Sequence, residues 1–206
     1  MTLHLLLKRY LINFGRAIIL NHREIRLVKH IHRNVKIGLS LGGDTVKDKV
    51  DMYFAPKSKY SWVNSVVQSL TKLITKYHTY DICRKHWTII TLKKNKIILF
   101  ASIATYEGVQ GHYLALWKKY GHTIDYVDFQ FYAYEKWISV SQIFKFFDEQ
   151  ASNYAGGYIL ASFDTAGDRG LQTIDGLFKV CSEIKRKQKL GGIFVWCADK
   201  SQKFRF

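Results

Sequence analysis

The chain is poor in proline and cysteine, and each shortage excludes an architecture. Its 206 residues include one Pro and three cysteines, Cys83, Cys181 and Cys197. No Pro/Gly/Ser-rich stretch marks a linker, which predicts a single globular domain. An odd number of cysteines without Cys-x-x-Cys spacing argues against a disulfide framework and against a structural zinc site. We therefore expect small buried hydrophobic cysteines, no metal and no cofactor.

Long apolar runs are missing as well. No stretch approaches the roughly 20 apolar residues that cross a bilayer, so no membrane span is expected. The first 20 residues are apolar in short runs that Lys8, Arg9 and Arg16 interrupt, and they contain no small-residue cleavage site. Such a start is a poor secretory signal peptide, although its basic, acid-poor composition also fits an organelle transit sequence.

Acidic residues are scarce: 16 Asp and Glu stand against 32 Lys and Arg, a net charge of +16. Residues 1–36 hold eight basic residues and one acid, Glu24, and residues 82–96 hold five basic residues and no acid. Few aromatic residues are interleaved with these charges, so stacking on nucleic acid is poorly supported. Because most charge runs are solvated faces, the sequence disfavours a nucleic-acid partner.

What the sequence does contain, from residue 35 onward, is an alternation of short apolar strands and amphipathic helices. This pattern is typical of a parallel sheet wrapped by helices. Strands are predicted at 35–41, 96–104, 124–132, 157–163 and 192–197, and helices at 61–78, 112–120, 140–153 and 174–187. The five strands fit a (β/α)8 TIM barrel, which usually needs about 250 residues. The predicted fold is therefore α/β, an incomplete (β/α)8 TIM barrel short of about two strand-helix units.

Three of these strands end in motifs that resemble glycoside hydrolase family 18, in its plant chitinase and narbonin-like branch. The motifs are Ser40-Leu41-Gly42-Gly43 on the third barrel strand, Asp125-Tyr-Val-Asp-Phe-Gln-Phe-Tyr132 on the sixth, and Gly192-Ile-Phe-Val-Trp-Cys-Ala-Asp199 on the eighth. Asp128 stands where the family usually has Asn. The resemblance covers residues 28–206 as a partial barrel and leaves 1–27 as an unmatched basic segment.

The resemblance implies a carbohydrate site at the strand ends. Because side chains alternate along a strand, the polar residues of the sixth strand should point into the barrel while their apolar neighbours face the helices. An internal hydrogen-bonded network, a core Trp and close packing at the glycines remain alternatives. The substrate-binding residues implied are Gln130, Tyr132, Trp196, Asp128, Ser40, Gly42 and Gly43.

The fourth barrel strand departs from the family pattern. Members carry Asp-Gly-x-Asp-x-Asp-x-Glu there, and the Glu is the general acid for a reaction in which the substrate's acetamido group is the nucleophile. No Asp or Glu stands between Ile82 and Tyr106. The lone His86 is a poor acid among so many basic residues. Acids near other strand ends are no convincing replacement: Asp125, Glu135, Asp164 and Asp168, the last two in a predicted surface loop.

We therefore expect a chitinase-like pseudoenzyme without catalytic residues, which binds N-acetylglucosamine oligomers or serves as a storage-type protein. The alternative is a truncated or mis-spliced version of an active chitinase. The resemblance implies an extracellular or vacuolar location, and the oligomeric state stays open. Residues 86–91 are β-branched and apolar enough for a substitute strand, although in family members the run before Lys93-Lys94-Asn95 resembles the end of a helix. Without such a strand the open barrel edges predict poor solubility.

Overall fold

The fold is known from a computed structural model. It describes residues 2–7, 10–14, 27, 30–31, 35–40, 45–46, 50–51, 57–77, 81–83, 86–165, 169–172 and 176–196. Among the helices in these ranges, none combines the length and the hydropathy needed to span a bilayer.

Ten strands and five α-helices follow each other along the described chain. The strands are β1 Thr2–Leu7, β2 Tyr10–Phe14, β3 Val35–Ser40, β4 Thr45–Val46, β5 Val50–Asp51, β6 Asp81–Cys83, β7 Phe100–Thr105, β8 Tyr126–Phe129, β9 Tyr158–Asp164 and β10 Gly192–Trp196. The helices are α1 Lys59–Tyr77, α2 His86–Lys94, α3 Gln110–Tyr120, α4 Val140–Asn153 and α5 Phe178–Arg186. Three short 3-10 helices lie at Glu107–Val109, Gly121–Thr123 and Phe131–Ala133.

Eight strands form a closed barrel in the order β3, β6, β7, β8, β9, β10, β2, β1 and back to β3. Pairing is parallel from β3 through β10 to β2, whereas β1 is antiparallel to both of its neighbours. This confirms an α/β barrel that lacks two strand-helix units, whose places are taken by the β1–β2 hairpin. The hairpin leaves no free sheet edge. The boundary at residue 27, drawn from the family motifs, stays a prediction.

Strands β7 to β10 separate two cores. Their outward side chains pack beneath the helices, and the shared core includes Val127, Phe129, Ile159, Phe147 and Val180. Their inward side chains form a second cluster inside the barrel around Phe100, Leu160 and Phe194. Because both faces of these strands are covered, their sequences are apolar almost without interruption.

Helix α4 shows how local sequence fixes an element that covers the barrel. Ser139 caps its first turn: the Ser139 Oγ accepts from the Gln142 backbone N–H at 3.3 Å, and the Gln142 Oε1 accepts from the Ser139 N–H at 2.8 Å. This capping box satisfies backbone donors that the helix itself cannot. Ile143 and Phe147, one turn apart, then enter the outer core.

The proposed substitute strand at residues 86–91 is wrong, because these residues begin helix α2. Ile90, Leu92 and Ile98 are buried there, so the apolar run covers the barrel from outside. Strand β6 fills the fourth position instead and pairs with both β3 and β7. The three residues of β6 therefore close the gap in the barrel from which poor solubility was predicted.

Other predicted boundaries hold to within a few residues, with two exceptions. Strand β7 begins at Phe100 and not at residue 96, because a turn follows α2 in which the Ile97 N–H donates to the Leu92 carbonyl at 2.9 Å. Strand β8 ends at Phe129, and the chain then enters the 3-10 turn Phe131–Ala133. In the helix predicted at 174–187, Leu177, Cys181 and Ile184 are buried, whereas Phe178 is 53% exposed.

Barrel closure by the hairpin predicts a difference between two substitutions at one position. Residue 12 lies in β2 between β1 and β10, so Ile12→Pro removes a backbone donor from a central strand, whereas Ile12→Ala keeps it. We expect Ile12→Pro to lower the free energy of unfolding by about 1–3 kcal/mol more than Ile12→Ala, as measured by urea denaturation. Equal stability of the two variants would contradict closure by the hairpin.

Candidate carbohydrate-binding site

The carboxyl ends of the parallel strands β7 to β10 bring polar and aromatic side chains to one end of the barrel. In (β/α)8 barrels this end carries the functional loops. We call the set Asp128, Gln130, Tyr132, Asp164 and Trp196 the mouth cluster. Asp128 lies in β8, Gln130 and Tyr132 directly after it, Asp164 closes β9 and Trp196 closes β10.

An aromatic layer lies across the mouth. The Tyr132 ring is stacked on Phe194 with centroids 6.3 Å apart and on Trp196 with centroids 6.2 Å apart. Both Tyr132 and Trp196 are half-buried, so each keeps part of its surface in solvent. Stacked rings of this kind are stabilised beyond their buried area, which gives the mouth a firm apolar floor.

A buried serine holds the turn that presents Tyr132. The Ser162 hydroxyl donates to the Phe129 carbonyl at 2.6 Å and accepts from the Phe131 N–H at 2.7 Å. The Gln130 N–H donates to the Thr105 carbonyl at 2.7 Å. These bonds replace the sheet ladder where β8 ends, so the backbone polar groups of the turn are satisfied.

A second contact fixes the same turn from the loop after β9. The Gly170 N–H donates to the Tyr134 carbonyl at 2.9 Å, and Gly170 has a φ of 64°. A Cβ at Gly170 would lie 2.7 Å from the Tyr132 Cα. Gln172 is buried beside it, and its amide donates to the Arg169 carbonyl. Only glycine allows this close approach with a positive φ.

Two carboxyl groups face into the barrel at different heights. Asp128 is 2% exposed and pairs in register with Leu160, whereas Asp164 is 9% exposed and pairs with Trp196. Four residues separate Leu160 from Asp164, about 13 Å along a strand at roughly 3.3 Å per residue. The backbone positions of Asp128 and Asp164 therefore lie at different depths in the barrel, with Asp164 nearer the carboxyl ends of the strands.

The expectation that Asp164 belongs to a surface loop is wrong, since it is the last residue of β9 and is buried. Asp125 lies at the other end of the barrel, where its carboxylate accepts from the Ala101 N–H at 2.7 Å and forms an ion pair with Lys93. Glu135 is exposed. Asp168 lies outside the described residues. Asp125, Glu135 and Asp164 therefore do not occupy the position on the fourth strand where the family has its acid.

The third-strand motif is placed only in part. Ser40 ends β3, and its backbone pairs with Cys83 of β6 and with Thr2 of β1. Gly42 and Gly43 lie outside the described residues, so their role stays a prediction. Gln130 is half-buried at the mouth beside the aromatic layer. The structure thus brings Asp128, Gln130, Tyr132 and Trp196 to one end of the barrel, as the alternation on the sixth strand predicts.

Two tyrosines behind the mouth are held in their neutral form. Burial raises the pKa of Tyr134 to about 12, and Glu107 and Glu149 add to this effect. Burial also raises the pKa of Tyr154, which the neighbouring Thr105 and Gln110 side chains oppose. Within the described ranges no three His, Cys, Asp or Glu side chains converge as metal ligands. The absence of a metal or cofactor stays a prediction.

A closed barrel of mainly parallel strands wrapped by helices places the chain in the class of (β/α)8 barrel proteins. No family model matches the chain. Chitinase 1 from Tulipa saxatilis subsp. bakeri is 47% identical over 199 residues, which cover 88% of this chain and 63% of the tulip protein. The chain therefore spans less than two thirds of that relative's length.

Solved structures agree with this likeness. The family 18 chitinase from Crocus vernus is 36% identical, with a TM-score of 0.86 over 93% of this chain and 76% of that one. The catalytic domain of a family GH18 chitinase from the fern Peteris ryukyuensis is 37% identical, with a TM-score of 0.81 over 89% of this chain and 73% of that one. The chain belongs to glycoside hydrolase family 18 and is chitinase-like.

The Ser162 bridge predicts a specific loss of stability. Ser162→Ala leaves the Phe129 carbonyl and the Phe131 N–H buried without their partner, which should lower the free energy of unfolding by about 1–3 kcal/mol. Ser152→Ala is the matched control, because the Ser152 hydroxyl also donates to a carbonyl, that of Asp148 at 3.0 Å, but is exposed. Equal urea midpoints for the two variants would show that the bridge does not hold the turn.

Proposed function

We propose that this protein binds an N-acetylglucosamine oligomer at the mouth cluster without hydrolysing it. The observation that carries the proposal is the aromatic layer of Tyr132 and Trp196 at the carboxyl ends of strands, in a barrel whose fourth strand has its one acid, Asp81, at its first residue and none at its carboxyl end. Family membership supports a sugar as the ligand, and the altered strand argues against turnover.

The aromatic layer suits a pyranose ring. One face of such a ring consists of C–H groups and packs against an aromatic side chain as other apolar surfaces do, while its hydroxyl groups remain at the edge. Trp196 would carry the ring, and Gln130 could both donate to and accept from an acetamido group through its side-chain amide. The Ser162 bridge would keep Tyr132 and Gln130 in position before the ligand arrives, which lowers the entropy lost on binding.

Hydrolysis needs a carboxyl group within hydrogen-bond reach of the glycosidic oxygen. Strand β6 ends at Cys83, in register with Ser40 and Ser102, and the sequence has no acid from residue 82 to residue 106. Asp128 is a deeper member of the mouth cluster than Asp164, and Asp164 lies three strands from β6 around the barrel. Neither occupies the position from which the family delivers its proton, so the proposal is binding without cleavage.

A second candidate is an active chitinase of which this chain is an altered version. It is favoured by the chain's spanning only 63% of the tulip chitinase and by the position of the acid-free segment at the fourth strand. Sequencing the transcript across residues 78–96 decides between the two. A stretch with Asp-x-Asp-x-Glu after Asp81 would restore the acid and favour this candidate.

The binding proposal predicts a residue-specific loss of affinity. Trp196→Ala should weaken binding of the N-acetylglucosamine tetramer by at least about tenfold in calorimetry, because the apolar floor of the site is removed. Tyr158→Ala is the control: Tyr158 is 62% exposed and begins β9, at the opposite end of the barrel. Undetectable binding by the unsubstituted protein would contradict the proposal and leave a storage-type role.

A further inference from the structure

We propose that Trp137 forms a second sugar contact outside the mouth cluster, through which the protein binds the surface of polymeric chitin. This inference rests on the proposed sugar site and extends its ligand from an oligomer to the polymer. Its basis is a tight turn at the carboxyl end of the barrel that leaves the side chain of Trp137 87% exposed.

Residues 135–138 form a β-turn in the loop between β8 and α4, and we call this turn the rim turn. The Ile138 N–H donates to the Glu135 carbonyl at 3.3 Å, so Lys136 and Trp137 occupy the two central positions. A loop that leads from a strand into a helix of a (β/α)8 barrel lies at the carboxyl end of the strands. The rim turn therefore lies at the same end of the barrel as the mouth cluster.

Both ends of the rim turn are packed into the protein. The Tyr134 ring, directly before the turn, is stacked on Phe146 of α4 with centroids 4.4 Å apart and planes 13° apart. Ile138, the last residue of the turn, is 8% exposed and belongs to the outer core. Ser139 then caps helix α4. Because these contacts fix the backbone on both sides of Trp137, little conformational freedom remains to be lost when a ligand binds.

Neither packing nor turn formation explains a tryptophan at the tip of the rim turn. Tight turns favour Gly, Pro, Asn, Asp and Ser, and Trp is usually largely buried. Trp137 is the most exposed large apolar side chain in the part of the chain that the structure describes. Single exposed apolar residues are common on protein surfaces. Here, however, an anchored turn presents the ring at the end of the barrel that carries the mouth cluster, so the ring is available to the same ligand.

The chemistry of the rim turn suits a neutral polymer that is rich in hydroxyl groups. The C–H face of a pyranose ring packs on an aromatic ring as other apolar surfaces do. Glu135 and Lys136 are exposed beside Trp137 and supply an acceptor and donors for the groups at the edge of the sugar. The charges of these two side chains cancel, so the turn does not favour a polyanion. Chitin is neutral and consists of the units proposed for the mouth cluster.

A polymer can contact the rim turn and the mouth cluster at the same time. Trp137 follows Tyr132 closely along the chain, and an extended chain advances by at most about 3.6 Å per residue, so their Cα atoms lie within about 18 Å of each other. When one molecule spans two contacts, the second contact forms at a high effective concentration and strengthens binding. An oligomer seated in the mouth cluster has few units left for the rim turn. Loss of Trp137 should therefore affect the polymer more than the oligomer.

The test measures two affinities for each variant: retention on insoluble chitin, by depletion from solution, and binding of the N-acetylglucosamine tetramer, by calorimetry. We expect Trp137→Ala to weaken retention by at least about tenfold, because exposed Trp side chains are frequent anchors of binding. Binding of the tetramer should change by less than about twofold. Trp137→Phe keeps an aromatic ring and should keep most of the retention. Since Trp137 is exposed, its replacement should leave the urea midpoint unchanged.

Tyr158→Ala is the matched control, because Tyr158 is 62% exposed at the opposite end of the barrel and should not contribute to retention. Equal losses in Tyr158→Ala and Trp137→Ala would indicate unspecific adsorption and overturn the inference. Unchanged retention in Trp137→Ala would overturn it and leave the proposed function intact. Equal weakening of chitin and tetramer by Trp137→Ala would assign Trp137 to the mouth site and overturn the separate contact.

Two results with the unsubstituted protein separate this inference from the proposed function. If the protein is retained on chitin through Trp137 but does not bind the tetramer, the proposed function fails and the contact at the rim turn stands. If the protein binds neither chitin nor the tetramer, both the proposed function and the inference fail.

Discussion

The two-sided burial of strands β7 to β10 is the constraint on which the rest of the molecule depends. Val127, Phe129 and Ile159 must face the helices, and side chains alternate, so the residues between them can only face the barrel interior. This places Asp128 inside the barrel and directs Tyr132 onto Phe194 and Trp196. A change of one residue in register would reverse both faces, so packing outside the barrel determines the mouth inside it.

Much of the fold could be predicted because these strands and their helices are regular. Helix α4 was predicted at its observed bounds, since its apolar spacing and its cap agree. Strand β6 and the β1–β2 hairpin could be predicted less well. Three residues are too few for a periodic signal, and the hairpin depends on pairing with β10, which lies some 180 positions away along the chain. The substitute strand was predicted where helix α2 lies because β-branched residues occur in strands as well as in buried helices.

The candidate site also contains residues that could be predicted from the sequence and one that could not. Gln130, Tyr132 and Trp196 could be predicted because they belong to ordered motifs at strand ends, and the structure places them at one end of the barrel. Asp164 was missed because the glycine-rich residues that follow it suggest a loop. Asp164 is buried because it pairs with Trp196 across the sheet, and amino-acid composition does not indicate such a pairing. The phase of β9, in which Ile159, Ala161 and Phe163 face the helices, was the signal that could have revealed it.

The account as a whole describes a family 18 barrel whose mouth keeps a sugar floor while its fourth strand, β6, has lost the acid. The most direct measurement is prolonged incubation of the protein with the N-acetylglucosamine tetramer, followed by mass spectrometry of the sugar and by calorimetry on the same preparation. The account predicts saturable binding and an intact tetramer. Release of shorter oligomers at a rate above that of the protein-free control would contradict it, because an acid outside the fourth strand would then perform the hydrolysis. Loss of that release in Asp164→Asn would identify the acid.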